Sequence, residues 1–199
     1  MFSALTSLSQ AKTIGGVGSL LILLSIVPAF GLFIGLAGFI MVLFAVKYIS
    51  DILSDTSIFN NMIISVVSAI AGLFVAVLFI VASVFAFIGF NWTGPNFIPN
   101  FGGFQDVIPT GNIISLLVSV IVGVVIFWIF YVVSAIFMRK SYSVIGSKLK
   151  VGMFNTVALL YLVGAATTII IVGFIILFIA EILQIVAFFS LPDQVPPTQ

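Results

Sequence analysis

Long apolar runs separated by short polar knots set the pattern of this chain. Residues 13–46, 56–105, 107–138 and 151–180 contain no Asp, Glu, Lys or Arg. Each run exceeds the roughly 20 apolar residues that cross a hydrocarbon core about 30 Å thick. Backbone amides in such a core must be satisfied within the segment, and uninterrupted helices do this. The pattern predicts an all-α fold: a polytopic transmembrane helical bundle forming one integral membrane domain over residues 1–199.

Five spans are predicted, at residues 9–27, 30–49, 58–90, 113–138 and 152–178. The run 13–46 would be about 51 Å long as one helix, well beyond the core. Pro28-Ala29-Phe30-Gly31 lies near its middle. Proline removes a helix donor and glycine permits a sharp turn, which gives two helices in a tight hairpin. One kinked, tilted helix is the competing reading. The weak small-residue pattern Val27-Pro28-Ala29 is not read as a signal-peptide cleavage site, because hydrophobicity resumes at once.

Between the second and third spans, residues 50–61 are polar and offer Thr56 or Ser57 as the helix N-cap. Residues 91–112 hold the glycines and prolines that break helix and strand, together with Trp92, Phe97, Phe101 and Phe104. They form an outer aromatic loop, folded onto the bundle mouth or the headgroup layer. Residues 139–151 form a basic loop, and 191–199 a Pro-rich tail. Near the start, Phe2, Leu5 and Leu8 fit either a short interfacial helix or a frayed terminus. Beyond residue 178 the apolar pattern continues to Phe189. Two readings stay open there. The segment bends near Gly173 and lies on the surface, or it turns back as a sixth crossing.

Charge sharpens the picture. Six basic and five acidic residues give a net charge of +1, and only 6% of the chain is charged. A soluble domain carries roughly a quarter. Mean hydropathy is +1.46. No basic stripe exists for nucleic acid. Cysteine and histidine are both absent. That excludes disulfides, thiolate and imidazole metal sites and a Ser-His-Asp triad, and nothing calls for a cofactor. With the hairpin, Lys12, Lys47, Arg139, Lys140, Lys148 and Lys150 all fall on one side. The opposite loop, 91–112, carries only Asp106. The positive-inside rule puts the N-terminus in the cytoplasm and the loop outside.

Few side chains suggest chemistry. Glu181 is the only acidic residue in the last apolar run, and Gln184 shares its helix face. Inside the membrane the pair would line an ion or proton path; on an interfacial segment it would be a polar face. Asn91-Trp92-Thr93 is a glycosylation sequon, which makes the loop a candidate glycoprotein site. Arg139, Lys140, Lys148 and Lys150 could meet anionic lipid headgroups, with Tyr142, Ile145 and Leu149 as the apolar side of an interfacial helix, or act only as a topological signal. Small residues recur at four-residue spacing, as in Gly31 and Gly35, in Ser68, Gly72 and Ala76, and in Ser115, Ser119 and Gly123. This lets helices approach closely, and the two later sets need not face each other. Gly15-Gly16-x-Gly18 lacks the preceding strand of a phosphate loop and is given no nucleotide role. Thr167 and Thr168 are expected to bond to carbonyls of their own helix.

The stretch Lys12-Thr13-Ile14-Gly15-Gly16-Val17-Gly18, with Gly35 to Gly38 and Ala45-Val46-Lys47-Tyr48-Ile49-Ser50-Asp51, resembles the opening of a family of small, mostly archaeal membrane proteins. That family is described only as domain of unknown function 996. Gly152-Met153-Phe154, Tyr161 to Ala165 and Phe188-Phe189-Ser190 resemble its closing part. The resemblance covers nearly the whole chain. It implies a multi-helix membrane fold and no activity, so no catalytic residue carries over. The leading expectation is a non-enzymatic structural or accessory subunit of a membrane assembly, with lipid and other membrane subunits as partners. The alternative is a small channel or transporter using Glu181 and Gln184. An intramembrane aspartyl hydrolase is not expected, because Asp51 and Asp55 lie in a loop.

Overall fold

The computed structural model describes residues 8–27, 30–87 and 110–196. Among them the chain is helical, with no strand. The helices are α1 (Leu8–Leu24), α2 (Gly31–Ile52), α3 (Thr56–Phe87), α4 (Thr110–Lys148), α5 (Gly152–Thr167) and α6 (Val172–Phe189). Four of them, α2, α3, α4 and α6, are long and apolar enough to cross a membrane, against the five spans expected. The 17 residues of α1 and the 16 of α5 make rods of only about 25 Å. The sequon at Asn91 and most of the aromatic loop lie outside the described residues.

The chain divides into two compact units. The first comprises residues 1–67 and 132–199. Its core follows from helical periodicity. Val42, Ala45, Val46 and Ile49 make the buried face of α2, and Phe154, Val157, Ala158 and Tyr161 that of α5. α1 and α2 form the expected hairpin, antiparallel and in close contact. A Cβ on Gly38 would lie 2.5 Å from the Gly18 carbonyl oxygen, so both positions need glycine for the backbones to meet. Gly15 and Gly16 are not loop residues either. They lie within α1 and seat the rings of Phe188 and Phe189 from α6.

Two sequence expectations need correction here. The basic segment 139–151 is not a loop: α4 runs through Lys148. Tyr142, Ile145 and Leu149 are at most 2% exposed, and this stripe holds the segment in the bundle rather than on an interface. The expected span 152–178 is also broken. α5 ends at Thr167, and a turn at 168–171 sends α6 back along it. The Thr167 and Thr168 hydroxyls donate to the carbonyls of Val163 and Ala165 at 2.7 Å, so the turn keeps its hydroxyls satisfied without water.

At the opposite end, two turns share one geometry. Ser54 (φ 49°) and Lys150 (φ 55°) are both left-handed. The following amides, of Asp55 and Val151, return to the carbonyls of Ser50 and Gly146 at 3.0 Å. This is the six-to-one bond of a Schellman cap. Corresponding positions are buried around each: Ile49, Ile58 and Met62 at the first, Ile145, Phe154 and Ala158 at the second.

Asp55, rather than Thr56 or Ser57, caps α3. Its Oδ1 accepts from the Ser57 amide at 3.0 Å and the Ser57 hydroxyl at 2.6 Å, while its Oδ2 pairs with Lys148 at 2.6 Å. The Lys148 ammonium, followed by the Ser57 hydroxyl, lowers the Asp55 pKa from 3.8 to about 2. A carboxylate held down in the folded state stabilises fully above its unfolded value. That contribution is lost as pH falls through the folded one. Thermal melts are therefore expected to lose stability between about pH 4 and pH 2. In Asp55→Asn that component should be missing; an unchanged acid limb would show that the pair does not matter to stability.

The second unit, residues 68–131, pairs the later part of α3 with the earlier part of α4. Gly72 lies against Phe130, and a Cβ on Gly123 would come within 2.9 Å of Ile80. Glycines from both helices thus lie on one interface, each seating a large side chain of the other helix. Most other side chains here point outward and are apolar, such as Phe74 and Ile121, both more than 60% exposed. An apolar surface of this kind suits lipid and not water.

Candidate functional site

A buried polar network that links three helices lies in the first unit. Gln184 on α6 is 1% exposed. Its amide nitrogen donates to the Ser19 hydroxyl of α1 at 2.9 Å. Its oxygen accepts from the Tyr142 hydroxyl of α4 at 3.0 Å. Ser19 passes its own proton to the Gly15 carbonyl at 2.8 Å. Ser19, Tyr142 and Gln184 each have a hydrogen-bond partner, as burial in an apolar bundle demands. The Tyr142 ring is held edge-on against Phe154 and Phe188, with centroids 5.5 and 6.4 Å away. Aromatic rings prefer this arrangement, and it fixes where the hydroxyl points.

Glu181 stands one turn before Gln184, near the midpoint of α6. Its carboxyl is hydrogen-bonded by the Tyr161 hydroxyl of α5. Its second oxygen, Oε2, is buried and has no hydrogen-bond partner. A bare carboxylate oxygen in an apolar bundle costs several kcal/mol, roughly, unless a proton or a cation compensates it. Chemically, then, the site can take up and release a positive charge. No group of three metal-ligating side chains converges here or elsewhere among the described residues.

The helix-face argument for Glu181 and Gln184 thus places two members of one cluster. Their partners Ser19, Tyr142 and Tyr161 were not assigned to it from sequence. Ser19 is the nearest to legible, because it extends the small-residue face Gly15-Gly16-x-Gly18. The basic residues form no part of this cluster. Lys148 pairs with Asp55, Lys12 with Asp193 at 3.8 Å and Lys47 with Asp51 at 2.6 Å. Arg139, Lys140 and Lys150 are exposed.

Residues 34–182 match the family described as "Protein of unknown function (DUF996)". An uncharacterised protein of Methanocaldococcus jannaschii is 35% identical over 186 residues, covering 94% of both chains. No solved structure gives a significant match.

Proposed function

Because this chain belongs to the DUF996 family of proteins of unknown function, its activity has to be argued from its own side chains, and we propose that it is a non-enzymatic membrane protein that passes protons or small cations by way of Glu181. One observation carries this reading: the buried, unpartnered Oε2 halfway along an apolar helix. Intramembrane carboxyls are expensive and are characteristic of ion and proton paths. The return of α6 along α5 supports the reading in which the chain turns back after residue 171, so that Glu181 faces the bundle and does not lie on a surface segment. The positive-inside rule then favours a cytoplasmic side holding both termini and the two Schellman turns, with the loop 91–112 outside. Tyr161 would orient the carboxyl. Gln184 would hold α1 and α4 in place around it.

The test is proton and cation flux in reconstituted vesicles. With a pH-sensitive dye inside and an imposed gradient, the wild type should dissipate the gradient faster than Glu181→Gln by about a hundredfold, the lower end for loss of a working proton-transfer group. Replacing the proton gradient with a sodium or potassium gradient identifies the ion. Equal rates for wild type and variant in every gradient would defeat the proposal.

A second reading, an accessory subunit of a membrane assembly, draws support from the outward apolar faces of residues 68–131. It requires a membrane partner that stays bound through purification in mild detergent.

A further inference from the structure

The charged end of the first unit does not use its basic residues alike. Lys12, Lys47 and Lys148 each have a carboxylate within ion-pair distance. Arg139, Lys140 and Lys150 have none among the described residues, and all three are exposed. Of the two remaining acids, Glu181 is bonded to Tyr161, and Asp106 lies outside the described residues.

The packing of α4 fixes where Arg139 and Lys140 stand. Ser141, Tyr142, Ile145 and Leu149 are buried, so this face is committed to the bundle. Ser141 is tied further by donating to the Ile58 carbonyl at 2.8 Å. Arg139 and Lys140 are left on the outside of the bundle. They are also the first charges after the uncharged run 107–138, immediately beyond the exposed Ile136. The outward face of α4 therefore changes from hydrocarbon-compatible to cationic within one turn. The Lys140 ammonium lies 4.8 Å from the Phe137 ring centroid, an aromatic-cation pair of the kind found at membrane interfaces.

We propose that Arg139 and Lys140 form a site for the headgroups of anionic phospholipids in the surrounding leaflet, with Arg139 engaging phosphate oxygens through its planar fork. Arginine matches phosphate geometry in two parallel bonds, and long basic side chains reach the interface from a helix flank. Lys148 is excluded from the site by its bond to Asp55. Lys150 sits about 15 Å further along the chain direction and contributes only to the general field.

The experiment measures the association of spin-labelled phosphatidylglycerol, against spin-labelled phosphatidylcholine, with the full chain in phosphatidylcholine vesicles. Near a membrane surface each basic residue favours an anionic headgroup by up to about fivefold, so the wild type should prefer phosphatidylglycerol by at least about threefold. Arg139→Gln with Lys140→Gln should bring the ratio close to one. The charge-matched control, Lys12→Gln with Lys47→Gln, should keep most of the preference, and so should Arg139→Lys with Lys140→Arg. A circular dichroism melt of each variant separates lost lipid preference from lost fold. Three outcomes would overturn the site: no preference in the wild type, equal loss in the control pair, or displacement by inorganic phosphate beyond that by chloride at equal ionic strength. The last would mark a free-anion site instead of a headgroup site.

Discussion

Gly38→Leu is expected to yield no folded protein, and Gly38→Ala to cost about 2–3 kcal/mol, near the upper end for overpacking. The reason is what the new atom meets. A Cβ at Gly38 would lie 2.5 Å from the Gly18 carbonyl oxygen and 2.8 Å from the Ile22 amide nitrogen. Both are helix backbone, which cannot swing aside as a side chain can. The α1–α2 pair would have to separate, and α1 also carries Ser19 to the Gln184 network. Gly35→Ala is the useful comparison. There a Cβ would meet the Ser25 Cβ at 2.8 Å, and Ser25 lies in the turn beyond the end of α1, where the chain can shift without parting the two helices. Reversible unfolding in detergent, followed by circular dichroism, compares the three. If Gly38→Ala unfolds like the wild type, the hairpin is not packed backbone to backbone.

The second large effect is at Gln184. Gln184→Ala breaks the bonds to Ser19 and Tyr142, and interhelical hydrogen bonds in lipid are worth about 0.6–1.7 kcal/mol each. It also opens a cavity at a site that is 1% exposed. Together these should cost about 2–4 kcal/mol, within the usual range for truncating a buried side chain. Tyr142→Phe, which removes one bond, should cost about 1 kcal/mol, and Ser19→Ala, which removes the bonds to Gln184 and Gly15, about 1–2 kcal/mol. In the double variant Ser19→Ala with Gln184→Ala the losses should be less than additive, because Gln184→Ala has already broken their shared bond. Strict additivity would mean that Ser19 and Gln184 do not interact.

How far the sequence reaches can be judged residue by residue. The all-helical membrane bundle was legible, because four runs without charge leave no other fold. So was the first hairpin: Pro28 and Gly31 mark it in composition, and Gly31 starts α2. The continuation of α4 past Arg139 was not, since four basic residues in a short stretch read as a solvated loop. Only the fold shows that Tyr142, Ile145 and Leu149 bury their stripe in a core. The break after Thr167 was half visible. Gly173 suggested a bend, but the turn precedes it and contains neither proline nor glycine. At the site, the Glu181–Gln184 pairing is local and followed from helix geometry. Ser19 lies 165 positions from Gln184, and their meeting depends on the register of α1 against α6, which no single-chain pattern encodes.

The two turns remote from the basic residues, around residues 25–30 and 168–171, contain no ionisable side chain. During biogenesis, moving a charged residue to the centre of the bilayer costs about 2.5–3.5 kcal/mol on insertion scales. Neither turn incurs that cost. In the proposed topology α1–α2 and α5–α6 would each enter the bilayer sideways as a pair, with the hydroxyls of Ser19, Thr167 and Thr168 already bonded to backbone. In that topology the α3–α4 connection, which carries Asp106, is the one that would have to deliver a charge to the far side. Translocation of that one segment would be the slow, machinery-dependent step in making this protein.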